Sequence, residues 1–320
     1  MADTITLDRN LTIEAVRVTE AAAIAAAEVM GRGDEKIADQ AAVDAMRTAL
    51  NRLHMAGTVV IGEGERDEAP MLFIGEEVGI GKGPKIDIAL DPLEGTTITA
   101  KGMPNGLAVL ALSEAGGLLN APDVYMDKIA AGPRVPSGAI DLDNSVAENI
   151  INVAEAVGKD PRDVVACILD RPRHGELIAK VREAGARIVL IGDGDVAGVM
   201  ATAMPETGID VYMGTGGAPE GVLAAAALRC IGGTIQGRLL FRNDDERGRA
   251  AKVGVEDLNR KYAISDLASG DVIFAATGVT DGNMLHGVRR TATTLTTESV
   301  AMRARTGTVR WIRMQHPIKK

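Results

Sequence analysis

The chain has 320 residues, 46 % of them hydrophobic and 25 % charged, with aromatics at 2 % and a formal net charge of -9. That length fits one large or two ordinary domains, and that apolar content excludes a disordered chain. So few aromatics exclude a base-stacking platform for single-stranded nucleic acid, and without a basic stripe nucleic-acid binding of any kind is disfavoured.

The first predicted element is an Ala-rich helix over 12–30, stopped by Gly31 and Gly33. No apolar leader opens the chain, and the run 21–30 is too short to cross a bilayer. A soluble cytoplasmic protein without a membrane partner is expected. A second helix over 37–55 carries the apolar stripe Val43, Met46, Leu50 and Leu53. One step back on that stripe stands Asp39. Two readings remain open there: a paired or metal-bound acid, or a first-turn acid favoured by the helix dipole.

A strand over 58–61 then delivers Gly62-Glu63-Gly64-Glu65-Arg66-Asp67-Glu68, acids spaced by glycines that let the chain fold tightly around a ligand. Residues 71–78 read as a short helix or strand. The next strand, 86–90, runs into Asp91-Pro92-Leu93-Glu94-Gly95-Thr96. Pro92 cannot donate to a ladder, so the strand is expected to end there, leaving two carboxylates and a hydroxyl on a turn. That set suits a hard divalent cation and an attacking water, and equally a solvated turn.

Further strands are predicted over 107–112 and 128–131, and residues 132–138 are the best linker. Ser145 and Glu148 form a capping box for a helix to Val157. Strands over 164–169, 187–191 and 209–213 then alternate with helices over 174–184, 196–203 and 219–230, a βαβ series with a parallel sheet. Its strand ends lead into loops 170–174, 192–195 and 214–220, the rim where open α/β sheets bind ligands. The glycine run Gly214-Thr215-Gly216-Gly217 misses the dinucleotide fingerprint, which disfavours an NAD-type oxidoreductase. Glu220, in the next helical turn, is a dipole-complementing acid or a metal ligand. Arg171 and Arg173 suit a phosphate clamp or plain surface charge. The end of the chain, strands near 272–275, 284–288, 291–300 and 308–314, is Thr-rich and reads as antiparallel. The layout is a metal-binding α+β domain over 1–140, joined by strands of 270–320, and an α/β substrate domain over 141–265. Cys167 and Cys230 read as reduced core thiols, and the four histidines lack zinc spacing.

Taken together, 33–39, 61–71, 91–96, 192–195 and 217–221 resemble the class II fructose-1,6-bisphosphatases of bacteria, nearly end to end. The stretch 91–96 is also similar to the Asp-Pro-x-Asp-Gly-Thr signature of the lithium-sensitive sugar and inositol phosphatases, with Glu94 for the second Asp. Glu35-Lys36 departs from the family, in which the basic residue stands one step earlier. The resemblance implies a layered α/β sugar-phosphatase fold of alternating helix and sheet layers. It implies Mg²⁺ or Mn²⁺, two or more per site, with Asp39 and Glu63 on one ion and Asp91, Glu94 and Glu220 on another. It implies substrate contacts from Glu94, Gly95, Thr96, Tyr125, Arg171, Pro172, Arg173, Asp193, Gly194, Asp195 and Gly217. Thr96 is expected to orient the attacking water, Asp67 to accept a proton or complete the metal shell, and Glu65 joins them as a catalytic candidate. The implied activity is hydrolysis of the 1-phosphate of fructose 1,6-bisphosphate in gluconeogenesis, by a homo-oligomer (dimer or tetramer). An enzyme that also takes sedoheptulose 1,7-bisphosphate and a Ca²⁺-binding module are the rival readings.

Overall fold

The computed structural model describes residues 7, 9–64 and 71–318. The chain forms two compact α/β units, Met1–Leu118 with Ser269–Lys320, and Leu119–Ala268. The first break falls after Leu118 rather than near residue 140. Tyr125–Ala131 is the reason, since it pairs on both edges with strands of the second unit. Residues 132–138 are turns within that unit, not a linker, and Arg134 reaches Asp210 there at 3.1 Å.

The first unit is built on an eight-stranded sheet. Ala56–Ile61 runs parallel to Lys85–Glu94. Leu107–Glu114, Val272–Gly278, Thr294–Arg303 and Thr308–Pro317 follow, each antiparallel to its neighbour. The antiparallel ending is as expected, but 284–288 forms no strand and only Arg289–Arg290 pairs there. Helices Leu11–Ala27 and Glu35–Leu50 layer on this sheet. The stripe Val43, Met46, Leu50 and Leu53 is buried as its spacing predicts, each side chain contributing roughly 1.5–3 kcal/mol. Ala15, Ala22, Ala23 and Ala26 are fully buried in the same core, so the small face of the first helix is used within its own unit.

The second unit holds a six-stranded mixed sheet. Val165–Leu169, Arg187–Ile191 and Val211–Gly217 are parallel, while Tyr125–Ala131, Thr234–Leu240 and Lys261–Ala263 add antiparallel strands. The three strands of the βαβ series are parallel as expected, and the antiparallel strands beside them make the sheet mixed. Val146–Val157 opens on the Ser145/Glu148 capping box and ends at Gly158 in the left-handed region. With Gly175–Glu183 it supplies Ile150, Val153, Ile178 and Val181 to a core against one sheet face. Asp195–Ala201 and Ala218–Ile231 pack against strands of the same sheet and supply a further layer.

Candidate active site

In the first unit the acids come to one end of the sheet. The register pairs Ile61 with Ala89 on parallel strands, so Glu63 and Asp91 each lie two residues beyond that row. Gly62 is required there, because a Cβ would strike the Leu72 carbonyl. Lys85–Glu94 does not end at Pro92. Asp91 pairs with Val109 and Glu94 with Leu107, so three residues on one strand oppose two on the other. This is a bulge, a place where a strand tolerates the missing N–H of proline. The bulge turns Glu94 into the interior, where it is 3 % exposed, while the Leu93 N–H donates to Asp91 Oδ1 at 3.0 Å. Gly95, at φ +85°, then caps the short helix Thr96–Ala100, with Thr96 as its first residue. Asp39 is half-buried on Glu35–Leu50, the helix that packs on this strand and this short helix. Burial pushes its carboxyl above the usual range. The Gly31 and Gly33 N–H groups, donating to Thr99 and Ala100 carbonyls at 3.0 and 2.9 Å, fix the approach to that helix. Glu65 and Asp67 lie outside the described residues. Among the described residues, no three acids, histidines or cysteines are assembled closely enough to hold a metal ion.

In the second unit three parallel strands end together, and their candidate residues meet. Arg171 reaches Asp193 at 3.5 Å. Pro172 starts the 3-10 turn that carries Arg173, whose Nε and Nη2 donate to the Thr215 carbonyl at 3.0 and 2.8 Å. The Arg173 guanidinium also lies over the Tyr125 ring at 4.9 Å, and that of Arg242 at 4.8 Å. Arg242, just before the helix Asp244–Lys252, is not among the candidate residues, so its place over Tyr125 is new. Gly194, at φ +80°, caps the helix that begins with Asp195.

The glycine run is not a loop. Gly214–Gly217 continues the strand and pairs with Lys128–Tyr125. Its glycines make room for carboxylates: a Cβ at Gly216 would strike Asp195, and one at Gly217 would strike Glu220. Lys128 is the residue sequence reasoning missed. It is 1 % exposed, and its ammonium ion-pairs with Asp195 and donates to the Gly217 carbonyl at 2.8 Å. Glu220 completes the group. Among the described residues its buried Oε2 has no hydrogen-bond partner. Burial first and the Asp195 charge second push its carboxyl up to about 7, against the pull of Lys128.

Acid-bearing strand ends in the first unit and an arginine-lined rim in the second are features that suit a phosphatase of the layered α/β class. Residues 9–316 match the family described as bacterial fructose-1,6-bisphosphatase, glpX-encoded, and the chain belongs to that family. It is 47 % identical over 322 residues to the fructose-1,6-bisphosphatase 1 class 2 of Escherichia coli (strain K12), covering 96 % of this chain and 95 % of the relative. The fructose-1,6-bisphosphatase class 2 of Shigella flexneri matches at the same identity and coverage. A solved structure, an extragenic suppressor from Pyrococcus furiosus, overlaps 60 % of this chain and 71 % of its own at a TM-score of 0.32 and 14 % identity, too slight a likeness to carry an argument.

Proposed function

We propose that the chain removes the 1-phosphate of fructose 1,6-bisphosphate, giving fructose 6-phosphate and inorganic phosphate in the cytoplasm as a step of gluconeogenesis. The relation that carries this reading is the 47 % identity over 96 % of the chain to a fructose-1,6-bisphosphatase. The donors fit hard divalent cations. They are oxygens only, and the buried, partnerless Oε2 of Glu220 beside a glycine that admits its carboxylate suits a cation. As the family resemblance implies, Asp39 and Glu63 would hold one Mg²⁺ or Mn²⁺, and Asp91, Glu94 and Glu220 would hold another. Such ions would supply an activated water and charge neutralisation at phosphorus.

The chain's own groups do the rest. Thr96, fixed at the start of its short helix, orients the water for in-line attack. Asp67, with Glu65, takes up the proton. Arg171 and Arg173 hold the distal phosphate, and Tyr125, Asp193, Gly194, Asp195 and Gly217 position the sugar. Two or four copies of the chain assemble.

Phosphate release from a panel of sugar mono- and bisphosphates, with and without Mg²⁺ or Mn²⁺, tests the reading. Metal-dependent release from fructose 1,6-bisphosphate is the expected result. No release from any bisphosphate with either metal overturns it. Sedoheptulose 1,7-bisphosphate in the same panel measures the breadth of choice.

A further inference from the structure

A cavity of about 790 Å³ lies in the first unit, lined by Arg9, Arg303, Arg305 and Arg310 together with Thr12 and Ile13 of the first helix. Among the described residues no carboxylate lines it. Arg303 is 5 % exposed and neutralised in place. Its Nε and Nη2 donate to Asp271 Oδ2 at 3.1 and 2.6 Å, and Nη2 also donates to the Leu7 carbonyl at 2.7 Å. Asp271 Oδ1 accepts the Arg305 N–H at 3.2 Å, which fixes the neighbouring wall. Three cations are left over. Arg310 donates only to the Thr308 hydroxyl at 3.0 Å, and among the described residues neither it nor Arg9 nor Arg305 has a carboxylate partner. In a chain of net charge -9, three exposed guanidinium groups without a carboxylate partner among the described residues converge on one cavity, a local positive field that attracts an anion. The helix Leu11–Ala27 also opens at this wall, adding the positive end of its dipole.

From this geometry we infer that the cavity is a second ligand site, for a small molecule bearing a phosphate group. Planar guanidinium forks favour a phosphate dianion over a single carboxylate, and the volume suits a compact metabolite. The site is separate from the acids of the same unit. Arg303 pairs with Ile273, whereas Gly278, five residues along, pairs with Leu107, the partner of Glu94. Five strand residues span about 17 Å, so one small ligand cannot touch both. The inference does not depend on which sugar phosphate is hydrolysed.

The test is calorimetric titration of the full chain in EDTA with inorganic phosphate, glucose 6-phosphate and adenosine monophosphate. Arg305→Ala/Arg310→Ala is compared with the unaltered chain at constant ionic strength. We expect at least one probe to bind at least 10-fold more weakly to the double variant, while its metal-dependent phosphatase turnover stays unchanged. Tighter binding of the esters than of phosphate identifies a phosphorylated metabolite as the ligand, and equal binding identifies free phosphate. Arg9→Gln serves as a second variant if the double one loses its folded circular dichroism. Equal affinity in the folded variants, binding of none of the three probes, or the same heat from potassium chloride overturns the site.

Discussion

Lys128 sits fully buried between Asp195 and the Gly217 carbonyl, with Glu220 close enough to feel its charge. Removing it leaves two carboxylates in the interior with no cation. Breaking a buried pair in this way costs about 3–5 kcal/mol. Lys128→Met should therefore unfold at lower denaturant and bind Mn²⁺ more weakly, and its Mn²⁺ binding should need a higher pH because Glu220 then holds its proton longer. Denaturation curves and Mn²⁺ calorimetry check this; unchanged values in both would remove Lys128 from the site. Thr96, at the start of its short helix, makes the complementary case. Thr96→Ala should lower kcat far more than it raises KM, and undiminished turnover would sink the water-orienting role. The cysteines belong to neither group. Both are buried, and burial first, with the Asp195 charge second, pushes the Cys167 thiol up to about 12. A disulfide-exchange reagent should find no fast thiol in the native protein and two after denaturation; a rapid native reaction would contradict the burial.

His174 shows how one side chain sets two elements. Its Nδ1 meets the Leu169 carbonyl at 2.7 Å, and its Nε2 accepts the Thr215 N–H at 2.8 Å. This network assigns a neutral ring protonated at Nδ1. With Arg173 on the Thr215 carbonyl, two consecutive residues grip Thr215 by both its backbone groups. Gly214 fits because a Cβ there would crowd the imidazole at 3.1 Å, and its φ is +143°. Burial is the main cause holding the His174 pKa below its usual value, aided by Arg173 and opposed by the Leu169 carbonyl and Asp127. A base depressed in the folded state is protonated first in the unfolded chain. Its stabilisation is then complete above about pH 6.5 and is lost as pH falls from there towards the folded value. His174→Phe should flatten that segment of the stability–pH profile; an identical slope in the variant would place the titration elsewhere.

The sequence makes some of this legible at the level of elements. Apolar spacing marks the second helix, the capping box marks Val146–Val157, and acids at strand ends mark Glu63 and Asp91. It hides what depends on distant partners. Lys128 reads only as the first residue of a predicted strand because its partner Asp195 lies 67 residues away. Pro92 reads as a strand end because the bulge that tolerates it is set by pairing with Val109 and Leu107. The glycine run reads as a loop because the carboxylates it makes room for come from other elements.

At the scale of the whole molecule, two hydrophobic cores stand out among the described residues. Leu90, Leu110 and Ile273 belong to one, and Ile129, Ile168 and Val211 to the other. Every residue of each core comes from a single unit, although the first unit is made from both ends of the chain. A cavity cut into one core removes contacts only from its own side chains. Ile168 is fully buried on the second sheet, one strand in from its edge, so Ile168→Ala should cost about 2–5 kcal/mol. The loss should be local first. Amide exchange should quicken in Val165–Leu169, Val211–Gly217 and Tyr125–Ala131, while Val272–Gly278 and Leu107–Glu114 keep their protection. An equal rise across both sheets would mean that the units open as one cooperative body, and the two-core account of stability would then be wrong.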